Sequence, residues 1–321
     1  MKRALSLFRQ RRTLGALVMA IGLFLVGAFV IDGYGSAFSI RAMLVLASLL
    51  AIASIGQTLV IVIGGIDLSI PFVIGFANVV AAELTGEGYP FLVVCGILSV
   101  LALAIGAFNG WISSALNIHP LIVTLGVGTI AQGLVQIWTK GFPAGSAPDF
   151  VADFVSIGGS MGPVPLPGLV PAVAALALFV SLVLSRTAYG RKLYALGGNP
   201  TAARYALIDP IGMWIVTFAA SAWFAALTGV LLLGFTGSAY GDVGQPYLFQ
   251  TIAAVVIGGT SLLGGQGSYL GTAVGALVLT ELNTLLIGVG LQPSLVQAAL
   301  GAIIIVLVSV YGREPHPRAS I

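Results

Sequence analysis

Charge is scarce in this chain. Asp, Glu, Lys and Arg together make up 7% of its 321 residues, where soluble domains carry about a quarter. A single cysteine, Cys95, excludes an intramolecular disulfide and the paired-cysteine patterns of metal sites. The two histidines, His119 and His316, form no HExxH and no Ser-His-Asp arrangement; His119 reads as a polar residue at a membrane edge. The dipeptide Gly-Lys never occurs, so there is no GxxxxGK[ST] loop to cradle a nucleotide. These absences argue against an enzyme and against a chain that hydrolyses ATP by itself. No cofactor or metal is expected in the chain. The net charge of +3 does not point to nucleic acid, because the basic residues are distributed in a way that a membrane explains.

What the chain has instead is long apolar runs. Hydrophobic residues make up 58% and the mean hydropathy is +1.09, which marks an integral membrane protein. Forty-three glycines suit close helix packing in lipid. The basic start, MKRALSLFRQRR, resembles a signal peptide, but the apolar run that follows is long and lacks a small-x-small cleavage site. It reads as a retained first helix. Hydropathy windows of about 19 residues give about ten spans, at 13–32, 42–63, 69–84, 91–115, 120–138, 168–185, 212–234, 248–263, 269–289 and 293–311. The third and eighth are short, and either could be a partial span.

The distribution of Lys and Arg tests this count. With the first residues cytoplasmic, ten spans place Lys2, Arg3, Arg9, Arg11, Arg12, Arg186, Arg191, Lys192, Arg204, Arg313 and Arg318 on the inner side, leaving Arg41 and Lys140 outside. The expected fold is therefore all-α: a polytopic membrane protein with both termini cytoplasmic. Its parts are a basic N-terminus (1–12), one transmembrane domain (13–311) with an inner loop at 186–211, and a cytoplasmic tail (312–321). The outer loop 139–167 is Gly- and Pro-rich and reads as irregular structure.

Ionisable groups within spans mark pathways and proton relays. By this reading only Asp67 and Glu281 qualify, with Glu83 near an outer end. Neutral polar residues that could line a path for a polyhydroxylated solute include Gln57, Asn78, Asn109, Gln132, Gln250 and Asn283; each could equally hydrogen-bond between helices. In the stretch GGIDLSIPF, Gly64 and Gly65 end one helix, and Asp67 can cap the next through its free N–H groups. A place in the path or against a cytoplasmic partner remains open for it.

The inner loop holds GGNPTAARYAL. Gly197 and Gly198 stop the preceding segment through a left-handed C-cap, Asn199 caps a new helix and Pro200 takes its first position. Thr201 to Leu207 then makes about two turns, either a connector or a docking helix. Gly106 with Gly110, and Gly271 with Gly275, form GxxxG pairs that let helices touch. The stretch GGQG, at 264–267, reads as a tight turn.

Four blocks in order, GGIDLS (64–69), PLIVTLG (120–126), GRKLYALGGNPTAAR (190–204) and VVIGGTSLLGGQGSYLGTAVGA (255–276), resemble the permease subunits of bacterial ATP-binding-cassette importers of the ribose type. The resemblance spans about residues 40–311. It implies a multi-pass inner-membrane subunit that pairs with a second permease, the same or different. It also implies an ATP-binding subunit (two copies or a fused double domain, holding ATP and Mg) and a periplasmic sugar-binding protein. Residues 199–207 would form the helix that couples to the ATPase, with Arg191, Gly197, Gly198, Asn199, Pro200, Ala202, Ala203 and Arg204 matching that motif. Gly64, Gly65, Asp67 and Ser69 match the signature at the helix break. The transported solute would be a sugar or related polyol. Two departures stand out: Ile70-Pro71 where the family has Val-Gly, and Leu207 where it often has glycine. A stand-alone ion-coupled carrier or facilitator is the competing reading.

Overall fold

The computed structural model describes residues 2–160 and 165–311, and the tail with Arg313, His316 and Arg318 lies outside the described residues. Within them the chain is all helix. The elements in order are α1 (Lys2–Val30), α2 (Ala37–Ile63), α3 (Ile70–Gly86), α4 (Phe91–Ala115), α5 (Pro120–Thr139), α6 (Asp149–Val155) and α7 (Leu169–Arg186). They continue with α8 (Ala188–Gly198), α9 (Pro200–Tyr205), α10 (Pro210–Thr236), α11 (Tyr247–Ile257), α12 (Tyr269–Gly288) and α13 (Pro293–Tyr311). Each of the ten expected apolar segments contains a helix, but the eighth, 248–263, is helical only as far as Ile257. Among the described residues, seven helices are long and apolar enough to cross a bilayer: the apolar part of α1, with α2, α4, α5, α7, α10 and α12. The apolar helices α3 and α11 are shorter, as is the apolar stretch Ser294–Ile303 of α13.

Two helices form the hub. α2 is buried along most of its length, so its apolar residues run all round rather than along one stripe. α10 packs against α4 through Gly106 and Gly110. A methyl group at Gly106 would strike the Phe218 carbonyl, and one at Gly110 the Trp214 carbonyl. The other GxxxG pair brings α12 onto α11, Gly271 against Gly258 and Gly275 against Ala254. Small residues let the backbones meet here, and dispersion contacts follow.

α1 and α12 run parallel, because Thr13 lies beside Gly271 at one end and Ile31 beside Gly288 at the other. The beginning of α12 is tied to α8 by the Tyr194 hydroxyl, which donates to the Gly267 carbonyl at 2.8 Å. Thr13 therefore sits toward the same end of the bundle as α8 and α9, and it is this end that carries Arg186, Arg191, Lys192 and Arg204, all exposed.

The loop 139–167 contains a short helix, α6, that its Gly/Pro composition does not suggest. Val151 and Val155 are buried, with Val151 packed on Gly234 of α10. Two apolar residues one turn apart are enough to hold a seven-residue helix that alone would be marginal.

Candidate functional site at the loop end of the bundle

Three glycine pairs, far apart in sequence, meet at one point. Gly64 closes α2 in the left-handed conformation, φ 101°, and Gly65 donates to the Val60 carbonyl at 2.8 Å. Gly265, also left-handed at φ 70°, donates to the Val62 carbonyl at 2.8 Å. Gly197 fills the gap between them: a methyl group there would overlap both the Val62 carbonyl and the Gly265 amide. Gly198 lies against Gly265. The end of α2, the end of α8 and the turn before α12 are thus in backbone contact.

This corrects the expected role of Gly197 and Gly198. Neither has positive φ; both belong to α8, whose last residue is Gly198 and whose C-cap, Asn199, is extended at φ −153°. Glycine is required there for closeness rather than for a left-handed turn. Asn199 does cap α9, its Oδ1 accepting from Ala202 N–H at 3.0 Å, and Pro200 sits in the first turn. The helix is shorter than expected, ending at Tyr205. Leu207, 94% exposed, takes the left-handed conformation at φ 58°, donates to the Arg204 carbonyl at 2.9 Å and is followed by Ile208 donating to Ala203 at 3.1 Å. Ala203 is buried, whereas Ala202, Arg204 and Tyr205 are exposed.

Asp67 lies 2% exposed, next to this junction. It is not the N-cap of α3, which is Ser69 in α-helical geometry with no side-chain cap. Asp67 Oδ1 instead accepts from the Ser69 N–H at 2.9 Å and from the Ser69 hydroxyl, and Oδ2 accepts from the Ser221 hydroxyl at 2.7 Å. Asn109 Nδ2 donates to Ser69 Oγ at 3.1 Å. Leu68 N–H donates to Thr124 Oγ1 at 3.0 Å, which links the loop to α5. One acid thus ties the start of α3 to α4 and α10. The Ser69 hydroxyl is consumed by this network, which is why it does not cap. Pro71 fits the first turn of α3, where the missing N–H has no helical partner anyway.

Between α9, the α4–α5 turn and the starts of α5 and α10 lies a cavity of about 460 Å³, with Ser113, Asn117, His119, Arg204, Trp214 and Gly197 among its lining. His119 is the N-cap of α5, and its Nδ1 accepts from Leu121 N–H at 3.4 Å.

Among the described residues, no hydrogen bond joins the expected path residues to one another. Gln57, Asn78 and Asn109 are fully buried, and Glu281 nearly so. Asn78 bridges two elements, donating to the Gly229 carbonyl at 3.1 Å and accepting from Tyr240 N–H at 2.9 Å. Among the described residues, neither polar atom of Gln57 has a partner, nor do Asn109 Oδ1 and Glu281 Oε2. Gln132, Gln250 and Asn283 are half-buried. Gln132 Nε2 donates to Asp242 Oδ1 at 2.6 Å. Asp242 was not among the expected intramembrane acids, since it lies in the polar stretch GSAYGDVGQP between two apolar runs. The chain folds back after α10, and no hydropathy window can register that.

Residues 39–308 match the family described as branched-chain amino acid transport system / permease component. The ribose import permease protein RbsC of Haemophilus influenzae is 35% identical over 239 residues, 74% of this chain and 73% of that one. The autoinducer 2 import system permease protein LsrD of Klebsiella pneumoniae is 32% identical over 265 residues, 81% and 79% of the two chains. The probable ABC transporter permease protein YphD of Escherichia coli (strain K12) is 33% identical over 300 residues, 94% and 89%. The protein belongs to this family of transport permease components and is a multi-pass membrane protein.

Proposed function

We propose that the chain is the transmembrane subunit of an ATP-driven importer that carries a sugar or related polyol across the bacterial inner membrane. ATP and Mg belong to a partner ATPase, solute arrives from a periplasmic binding protein, and a second permease subunit, the same or different, completes the pore. In this reading the membrane domain has about ten transmembrane helices, of which the short α3 and α11 could be partial spans, and both termini are cytoplasmic. Residues 13–311 form the single transmembrane domain, with 186–211 as its coupling loop. The loop end of the bundle, with its exposed Arg186, Arg191, Lys192 and Arg204, then faces the cytoplasm, as the bias of Lys and Arg requires. The names of the relatives support import and, in the RbsC case, a pentose; they give no support to a stand-alone carrier.

The observation that carries the reading is the backbone contact among α2, α8 and the turn before α12. Chemistry is absent from the chain, so free energy from ATP must enter through a contact. α9 follows α8 directly and lies beside that contact, so pushing on α9 moves the end of the most buried helix without an intervening loop. Packed backbones transmit such a shift because they cannot compress.

Arg204→Glu tests it. The variant inserts normally, yet ATP hydrolysis stimulated by the binding protein falls at least fivefold and uptake falls with it. Stimulated hydrolysis at the wild-type rate would contradict the coupling role. Uptake of D-ribose against L-leucine by the same complex separates the sugar reading from the amino-acid class in the family's description.

A further inference from the structure

Asp242 lies deeper than its sequence suggests. After α10 the chain turns back along α3: Tyr240 N–H meets Asn78, Gly241 lies against Gly75 and Gly244 against Pro71. Asn78 also bonds Gly229, seven residues before the end of α10, so the returning segment has already descended about 10 Å along that helix. α5 gives an independent measure. Its 20 residues span about 30 Å, the thickness of the hydrocarbon core, and Gln132 lies seven residues, about 10 Å, from its end. The Gln132–Asp242 hydrogen bond is therefore inside the apolar layer.

It is also accessible. Gln132 and Asp242 are half-buried, and Gln245 is exposed. Asp242 Oδ2 has no partner among the described residues. On α5, Thr129 and Gln136 share the face of Gln132, at spacings of three and four residues, and both are exposed. A carboxyl group facing acyl chains costs about 3 kcal/mol, so this face does not meet lipid.

We propose that Asp242, Gln132, Gln136 and Gln245 form the patch that the solute meets within the membrane, on the face where the second permease subunit joins, and that the solute is a neutral polyhydroxylated molecule. The inference rests on the transport reading given above. Its chemistry is complementary: the free carboxyl oxygen accepts from hydroxyl groups, and the amides both donate and accept. The same carboxyl disfavours anions, so phosphorylated sugars are excluded.

The test uses the full complex in proteoliposomes, with D-ribose as probe. Asp242→Ala lowers uptake at least tenfold while binding-protein-stimulated ATP hydrolysis stays within twofold; Asp242→Asn, which keeps the volume, does the same. In a Cys95→Ser background, Thr129→Cys reacts with a charged thiol reagent at least tenfold faster than Ile130→Cys, its equally deep neighbour on the next face, and D-ribose slows the reaction. Uptake near the wild-type rate in Asp242→Ala, or equal labelling of the two cysteines, would overturn the proposal. Wild-type uptake that needs no ATPase would instead overturn the transport reading, and the labelling would still report on the patch.

Discussion

Two acids flank α3, each delivered by a non-helical segment that carries glycines, and they are treated oppositely. Asp67, in 64–69, uses both carboxyl oxygens on protein donors and is sealed. Asp242, in 237–246, uses one oxygen on Gln132 and keeps the other open. A buried carboxyl group with both oxygens engaged fixes geometry, since removing it strands several donors. A half-engaged one at membrane depth is costly to the fold and has to be explained by what it meets. The contrast separates an acid that builds the protein from one that serves its transport.

The sharpest way to break the contrast is to delete the sealed acid. Asp67→Ala leaves the hydroxyls of Ser69 and Ser221 without their acceptor and is expected to cost about 3 kcal/mol, read as a lowered denaturation midpoint of the protein in detergent. A smaller loss, about 2 kcal/mol, is expected for Gly197→Ala, because the added methyl group overlaps backbone rather than a movable side chain. Since that backbone belongs to α2 and to the turn before α12, the variant should also weaken stimulated ATP hydrolysis, whereas Gly133→Ala on α5, where nothing lies within 4 Å, should leave both unchanged. The smallest effect has the opposite sign. Leu207→Gly relieves a left-handed leucine and is expected to stabilise by about 1 kcal/mol, measured in the same denaturation assay.

The sequence makes these elements legible to different degrees. Apolar runs locate every long helix, because a span must satisfy its own backbone hydrogen bonds and therefore announces itself by length. The junction of Gly64, Gly197 and Gly265 is legible only as three separate motifs. Each glycine pair suggests a turn locally, but Gly197 is helical, and the need for glycine comes from α2 and the turn before α12, which no local pattern contains. Asp67 illustrates a nearer miss. Its place beside the start of α3 follows from the stretch GGIDLS, yet its distant partner Ser221 comes from α10, and Asn109 of α4 reaches the network through Ser69. Asp242 lies furthest from what a sequence can say. Glycines at 237, 241 and 244 hint at a bent segment, and only the approach of Gly241 to Gly75 and Gly244 to Pro71 reveals that the bend points inward.

The neutral polar residues teach the same lesson. Asn78 and Gln132 look alike in hydropathy, but Asn78 is spent on holding the returning segment, and Gln132 stands at the accessible edge of it. Burial sorts them, and burial is a property of the assembled bundle.

The difference between the two acids can be measured on one instrument. The denaturation midpoints of Asp67→Ala and Asp242→Ala, recorded side by side in the same detergent, test it most directly. The account predicts a fall of several degrees for Asp67→Ala, at a few degrees per kcal/mol for a chain of this size, and a midpoint for Asp242→Ala that does not fall below the wild type while its uptake is lost. A stable Asp67→Ala beside an unstable Asp242→Ala would contradict it.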